Sequence, residues 1–296
     1  MQRKKILITG CNGQVGQSFH AFQDSFPQFE LVFVHRGQLD IMDTNSIKSF
    51  FLTEKNYAAV INSAAYTGVD MAETEIQKAW KTNISGPILL AKKCDELKIP
   101  LIHFSSDYVY DNGYTRPLKE TDPCSPKSMY AITKFEGEQA AMYYNPKSII
   151  LRTSWVYSEY GNNFLKTILK LSKEKTEINV VKDQIGAPTY AHDLASVSLR
   201  MLYIILNDPY YNQYGIYNYA NEGQISWFDF AREIVRISKS TCIVHPVNTD
   251  SFPRPAKRPA YSVFDLNKIK SNFNISLIPW QTSLEGCIKN LSLINP

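Results

Sequence analysis

The stretch Ile6-Leu7-Ile8-Thr9-Gly10-Cys11-Asn12-Gly13-Gln14-Val15-Gly16 decides the fold. A short apolar run meets glycines at 10, 13 and 16, and a helical pattern of apolar residues follows over 13–23. One glycine permits a tight strand-to-helix turn, one lets the backbone approach a pyrophosphate, and one allows the helix to pack closely on a sheet. The helix beginning there offers unpaired N–H groups and its positive dipole end to phosphate. Such turns also occur without ligands. Position at the first strand–helix junction points to a dinucleotide site built from Gly10, Asn12, Gly13, Gln14, Val15 and Gly16. The preceding apolar run is too short for a signal-peptide core and reads as a first strand.

Outward from this turn, strand-like runs at 5–9, 31–35, 59–62, 101–105 and 148–152 alternate with helical patterns at 13–23, 44–52, 71–97 and 128–143, with a break expected at Pro87. That alternation implies an α/β class protein, a Rossmann-like doubly wound parallel sheet. Beyond Arg152 helical patterns at 163–174 and 191–206 flank a short strand at 179–181, and two more helices are expected at 266–274 and 283–291. Between them, 251–259 holds Pro253, Pro255 and Pro259, so it is a loop. A chain of 296 residues exceeds the usual size of one core. The expected division is a dinucleotide-binding domain over 1–154, with segments near 186–235 packing back on it, and a smaller C-terminal α/β substrate lobe from 155–185 and 236–296.

Composition excludes other classes. A net charge of +4 without a basic block argues against a nucleic-acid partner, and no apolar run approaches a membrane span. The five cysteines, Cys11, Cys94, Cys124, Cys242 and Cys287, show neither CxxC nor metal-ligand spacing. They read as reduced thiols of a cytoplasmic protein, with no metal site.

His35-Arg36-Gly37-Gln38-Leu39-Asp40-Ile41 ends the second strand, where the adenosine ribose lies in this fold. Arg36 can pair with a 2′-phosphate, which tilts the expected cofactor to NADPH. NADH stays open, as does the reading of Arg36 as a solvated loop charge. Asp40 reads as an acceptor near the adenine, and Ile41 as its apolar neighbour. Ala64, Ala65 and Tyr66, at the end of the third strand, should also line the cofactor.

Tyr130 and Lys134 stand four apart on one helical face. A neighbouring ammonium favours the phenolate and brings a phenol closer to working pH, so the pair is a usable acid and base. Many YxxxK pairs are mere surface neighbours. This one opens a helix some 25 residues after Ser105-Ser106-Asp107-Tyr108, at the carboxyl end of a central strand, where ligands of open α/β sheets bind.

These motifs, with Asn62-Ser63-Ala64-Ala65-Tyr66-Thr67-Gly68-Val69-Asp70, Arg152-Thr153-Ser154-Trp155-Val156-Tyr157, Gly161-Asn162-Asn163-Phe164 and Asp183-Gln184-Ile185-Gly186-Ala187-Pro188-Thr189, run in order from residue 8 to 189. The chain resembles the dTDP-4-dehydrorhamnose reductase family of extended short-chain dehydrogenases. The resemblance implies reduction of the C4 ketone of a dTDP-linked 4-keto-6-deoxy sugar. Tyr130 would be the proton donor, Lys134 would hold the nicotinamide ribose, and Ser106 would bond the substrate oxygen. Ser106 departs from the family's usual threonine but keeps a hydroxyl. Asp107, Tyr108, Trp155, Asn163 and Arg258 would contact substrate, with a core role for Trp155 and a solvated loop charge for Arg258 as alternatives. Some members form dimers through a divalent metal held by glutamates. Ser18 and His192 stand at those places here, and neither offers a carboxylate, so the expectation is a monomer without structural magnesium, with a weak dimer as the alternative.

Two other readings stay open. An epimerase shares the fold and the Tyr–Lys pair; a dehydratase also does, but usually has an Asp–Glu pair where this chain has Asp107-Tyr108. A non-catalytic nucleotide-binding subunit resembling the partner of methionine adenosyltransferase could likewise retain both residues.

Overall fold

In the computed structural model, which describes residues 3–294, the first half alternates as the sequence predicts. It runs β1 (Lys4–Thr9), α1 (Gln14–Ser18), β2 (Phe29–Val34), α2 (Thr44–Thr53), β3 (Tyr57–Asn62), α3 (Ile76–Trp80), α4 (Gly86–Glu96), β4 (Leu101–Ser106), α5 (Met129–Tyr144) and β5 (Ser148–Thr153). The second half holds β6 (Val156–Tyr157), α6 (Phe164–Glu174), β7 (Glu177–Val181), β8 (Ile185–Gly186), β9 (Thr189–Tyr190), α7 (Ala191–Asn207) and β10 (Gly215–Tyr219). It ends with β11 (Ile225–Ser226), α8 (Trp227–Ile237), β12 (Ile243–Val247), α9 (Asn267–Phe273) and α10 (Trp280–Ile294). No helix among the described residues is long and apolar enough to cross a membrane.

Six strands form a parallel sheet in the order β10-β5-β4-β3-β1-β2. The order reverses at β1 and β3, and such a switch point opens a crevice at the carboxyl ends of the strands. Side chains alternate faces along a strand, so β1 serves two cores. Ile6 and Ile8 join Phe19, Leu194, Leu199 and Phe273 on the face of α1, α7 and α9. Leu7 joins Ile47, Leu90 and Ala141 on the face of α2, α4 and α5. Burial on both faces explains why the central strands are continuously apolar rather than alternating.

Two helical expectations are revised. The pattern at 13–23 ends as α-helix at Ser18 and tightens into a 3₁₀ turn, Phe19–Phe22. Three residues per turn stack Phe19 over Phe22, and both enter the first core. The pattern at 71–97 becomes a 3₁₀ turn (Met71–Glu73), α3, a π-helical turn (Lys81–Ser85) and α4. Pro87 does not break the helix; it occupies the first turn of α4. Lacking an N–H, it leaves the Asn83 carbonyl without its usual helical partner, and the π turn absorbs the irregularity.

A third core gathers Tyr157, Leu165, Ile178, Val180, Phe230, Ile234, Trp280 and Leu284, where α6, α8 and α10 pack around the parallel pair β7 and β12. The division drawn from sequence shifts at two places. Most of α8 falls within 186–235, yet its Phe230 and Ile234 enter this third core. α9 lies within 236–296, yet Ile269 and Phe273 enter the first core, with Phe273 edge-on to Tyr217 of β10.

Gly137 of α5 sits directly against the Asn83 carbonyl oxygen, where an added Cβ would fall well inside contact distance. Gly137→Ala should therefore cost about 3 kcal/mol as α5 is forced off the π turn. Gly286 in α10 has nothing within 4 Å of its Cβ position. Gly286→Ala should gain about 0.5–1 kcal/mol from helix propensity. Denaturant midpoints measure both; equal stabilities for the two variants would contradict the packing described.

Candidate active site

The glycine turn is built as its spacing requires. Gly10 adopts φ +64, and a Cβ there would lie 2.6 Å from Ala64 N at the end of β3. Gly13 caps α1, and its N–H donates to Gly10 O at 3.0 Å. Gly16 lies against Gly10 O and the Cys11 backbone, 2.6 Å from Cys11 Cα for an added Cβ. Asn12 is exposed on the turn, and Val15 packs on the first core.

A cleft of about 340 Å³ opens beside the turn, lined by Gly10, Gly13, Arg36, Asp40, Ile41 and Ala64, with Ala65 and Tyr66 completing the β3 side. The exposed Arg36 pairs with Asp40, Nε to Oδ2 at 3.1 Å. Asp40 Oδ1 also accepts from Met42 N at 3.0 Å. A backbone cradle without Cβ atoms, a helix N-terminus and a guanidinium at the far end suit a dinucleotide carrying an extra phosphate. Asn83 fixes the loop that completes the cleft: Oδ1 accepts from Tyr66 N at 2.8 Å, and Nδ2 donates to Tyr66 O and to Thr133 Oγ1 of α5.

The acid–base cluster lies at the carboxyl end of β4. Ser128 caps α5, its Oγ accepting from Ala131 N, and so orients Tyr130 and Lys134. Tyr130 is half-buried and meets Tyr108 edge-on at 5.7 Å, with the Ser106 hydroxyl close by. Burial pushes its phenol up to about 12; Ser106 pulls it back and Asp107 adds to the rise. The expected lowering by a neighbouring ammonium is not what this structure holds. Lys134 is buried, and its Nζ donates to Phe104 O at 2.6 Å. Burial brings that ammonium down to about 8 against the pull of Glu138.

Asp107 is 2% exposed, and its Oδ1 accepts from Ser106 Oγ at 3.1 Å. Burial raises the carboxyl to about 6, and the Ser262 and Ser106 hydroxyls hold that rise back. Its Oδ2 is buried without a partner, an acceptor free for a ligand hydroxyl.

Of the remaining residues expected to touch substrate, Trp155 borders this cluster through Gly186. A Cβ on Gly186 would lie 2.6 Å from the indole Cε2 and 2.9 Å from Ser262 Oγ. Trp155 itself holds φ +47, which costs an L-residue about 1–2 kcal/mol. Asn163 is engaged with protein groups, against the expectation of a substrate contact. Its Oδ1 caps α6 through Lys166 N, while Nδ2 donates to Gln14 Oε1, Ser158 O and Tyr160 O. Gln14 thus ties the glycine turn to the 158–163 segment and turns its side chain to protein. Arg258 pairs with Asp70 at 3.0 Å, and its Nε is buried without a partner.

Sequence reading missed Ser262, Asn83 and Trp227. Ser262 follows the proline-rich loop in no recognisable motif. Asn83 acts only because the π turn rotates it toward Tyr66. Trp227 offered a cap signal, Ser226 with Asp229 three residues later, but nothing that marked its ring.

Comparison with known proteins fits this geometry. The family model described as RmlD substrate binding domain matches residues 4–293. A dTDP-4-dehydrorhamnose reductase of Aggregatibacter actinomycetemcomitans is 38% identical over 289 residues, 95% of this chain and 97% of that protein. The crystal structure of a dTDP-4-dehydrorhamnose reductase from Clostridium acetobutylicum superimposes with a TM-score of 0.91 at 38% identity, covering 97% of this chain and 99% of that one. One from Bacillus anthracis in complex with NADP gives a TM-score of 0.91 at 32% identity, covering 98% and 100%.

The Arg36–Asp40 pair sets up a competition for one guanidinium. Asp40→Asn should raise the preference for NADPH over NADH by releasing Arg36, and Arg36→Ala should lower it. Fluorescence titration of both cofactors checks this; unchanged ratios in both variants would place the 2′-phosphate elsewhere.

Proposed function

The chain belongs to the RmlD substrate-binding-domain family, and on that premise we propose that it reduces the C4 ketone of dTDP-4-dehydro-L-rhamnose to give dTDP-L-rhamnose with NADPH, NADH being the weaker alternative. The observation that carries this reading is the Tyr130–Ser106–Asp107 cluster beside the glycine cradle. The nicotinamide cofactor supplies the hydride. Gly10, Gly13 and Gly16 admit its pyrophosphate, Arg36 its 2′-phosphate, and Ala64, Ala65 and Tyr66 its inner wall.

The protein's own part is proton supply and charge placement. A phenol with its pKa near 12 is fully protonated at neutral pH, the state needed to give a proton to the oxygen of a ketone undergoing reduction. The Ser106 hydroxyl stands beside Tyr130 and can donate to the same oxygen. Lys134, anchored at Phe104 O, has ammonium protons left for the nicotinamide ribose. Asp107 Oδ2 accepts from a sugar hydroxyl, and Arg258 meets the diphosphate after exchanging Asp70 for it. The third core, with the loop of 251–259, forms the substrate lobe. The enzyme works in the cytoplasm, where its five thiols stay reduced.

We read it as a monomer. Ser18 Oγ donates to Gln14 O within α1, and His192 packs on Tyr190 and Phe22, so the positions that carry metal-binding glutamates in some members offer no carboxylate. Gel filtration should give one monomeric species with magnesium and with a chelator; a magnesium-dependent dimer would refute this.

Tyr130→Phe should abolish NADPH oxidation on dTDP-4-dehydrorhamnose while leaving NADPH affinity nearly unchanged, and retained turnover would overturn the assignment. The free-enzyme values fix the pH dependence of kcat/KM. Activity should rise through about pH 6 as Asp107 ionises and fall above about pH 8 as Lys134 loses its charge. Asp107→Asn should lower kcat/KM and remove the acid limb alone; persistence of that limb would assign it to another group. In the opposite sense, stability should decline between about pH 4 and pH 6, because a raised carboxyl pKa means the folded state holds its proton longer than the unfolded chain.

A further inference from the structure

Trp155 and Trp227 stack with ring centroids 3.6 Å apart and planes within 10°. Trp227 opens α8 immediately after Ser226, whose hydroxyl accepts from Asp229 N. Its ring also meets Phe164, the first residue of α6, at 4.4 Å. Two capped helix starts therefore fix Trp227. Trp155 is different: it stands in left-handed backbone just past β5, with Gly186 against its six-membered ring and Ser262, near Asp107, beside Gly186. Both indoles are partly exposed.

We propose that Trp227 is a positioning residue for the sugar: by stacking on Trp155 it fixes that indole in the one orientation in which it borders the Asp107–Ser106–Tyr130 cluster. This rests on the reading of Trp155 as a substrate contact. A single indole on strained backbone has several rotamers open to it. Parallel stacking with Trp227 on a ring face and the close approach of Gly186 leave one. The face of Trp155 not covered by Trp227 is the surface that meets the apolar side of a deoxysugar. Pocket shape at this wall then discriminates between sugars that differ by one hydroxyl.

The test compares Trp155→Leu, Trp227→Leu and Trp227→Phe in steady-state reduction of dTDP-4-dehydrorhamnose by NADPH, with melting temperatures and the circular-dichroism couplet of the stacked indoles. Both leucine variants should raise the sugar KM about tenfold, the scale of a lost aromatic pair, with the NADPH KM unchanged. Both should lose the couplet, and Trp227→Phe should recover most of the sugar KM. A Trp227→Leu variant that lowers only the melting temperature, or keeps the wild-type sugar KM while Trp155→Leu raises it, would overturn the positioning role and leave the reductase reading standing. An unchanged sugar KM in Trp155→Leu would overturn the substrate role of the indole and the inference with it. Were the wild-type enzyme inactive on this sugar, the functional reading would fail separately. Titration with dTDP-rhamnose would then decide the pair's role: a changed couplet with weaker binding in Trp227→Leu supports it, and equal binding overturns it.

Discussion

The buried ion pair between Arg152 of β5 and Glu138 of α5 is the constraint on which the site depends. Neither side chain is more than 1% exposed; Nε donates to Oε2 at 3.0 Å and a second bond joins NH2 to Oε1. The guanidinium lies over the Tyr110 ring at 4.6 Å. Removing either partner from such a pair strands a charge and costs about 3–5 kcal/mol, although a buried pair adds little over an apolar one. Its value here is directional. Tyr130, Lys134 and Glu138 recur every four residues along α5, so anchoring Glu138 to the sheet fixes the rotation of that helix and sends the acid–base pair to the end of β4.

Burial then sets the charge states. The same low-dielectric wall that raises the Tyr130 phenol and the Asp107 carboxyl lowers the Lys134 ammonium. Each shift favours the neutral form, as desolvation must. Around neutrality the phenol is a proton reservoir, while the carboxylate and ammonium sit close enough to their midpoints to respond to a ligand's charge. His103, next to Phe104 on β4, is held well below the usual imidazole range by burial and by Lys134, so it adds no competing charge under the site.

Much of this was legible in the chain. Strand alternation, the glycine turn and the helix carrying Tyr130 and Lys134 follow from local rules, because their causes lie within a few residues. What stayed hidden has causes distant in sequence. Asn163 looks like a ligand until the fold brings Gln14 beside it, 149 positions away. Arg258 reads as a substrate contact or a solvated loop charge until Asp70 meets it across 188 positions. The lysine's effect on the phenol looks dominant from spacing alone, yet burial sets the phenol's state, and burial belongs to the assembled sheet.

The π turn at Lys81–Ser85 carries a consequence for how this chain can diverge. A helix that takes one extra residue into a single turn rotates everything before it by about 100° relative to everything after it. Asn83 reaches both Tyr66 and Thr133 only in that rotated frame. A one-residue deletion between Ile76 and Gly86 would give a more regular helix with a misaligned cofactor wall. Descendants of this sequence can therefore change the residues of the turn more readily than its length.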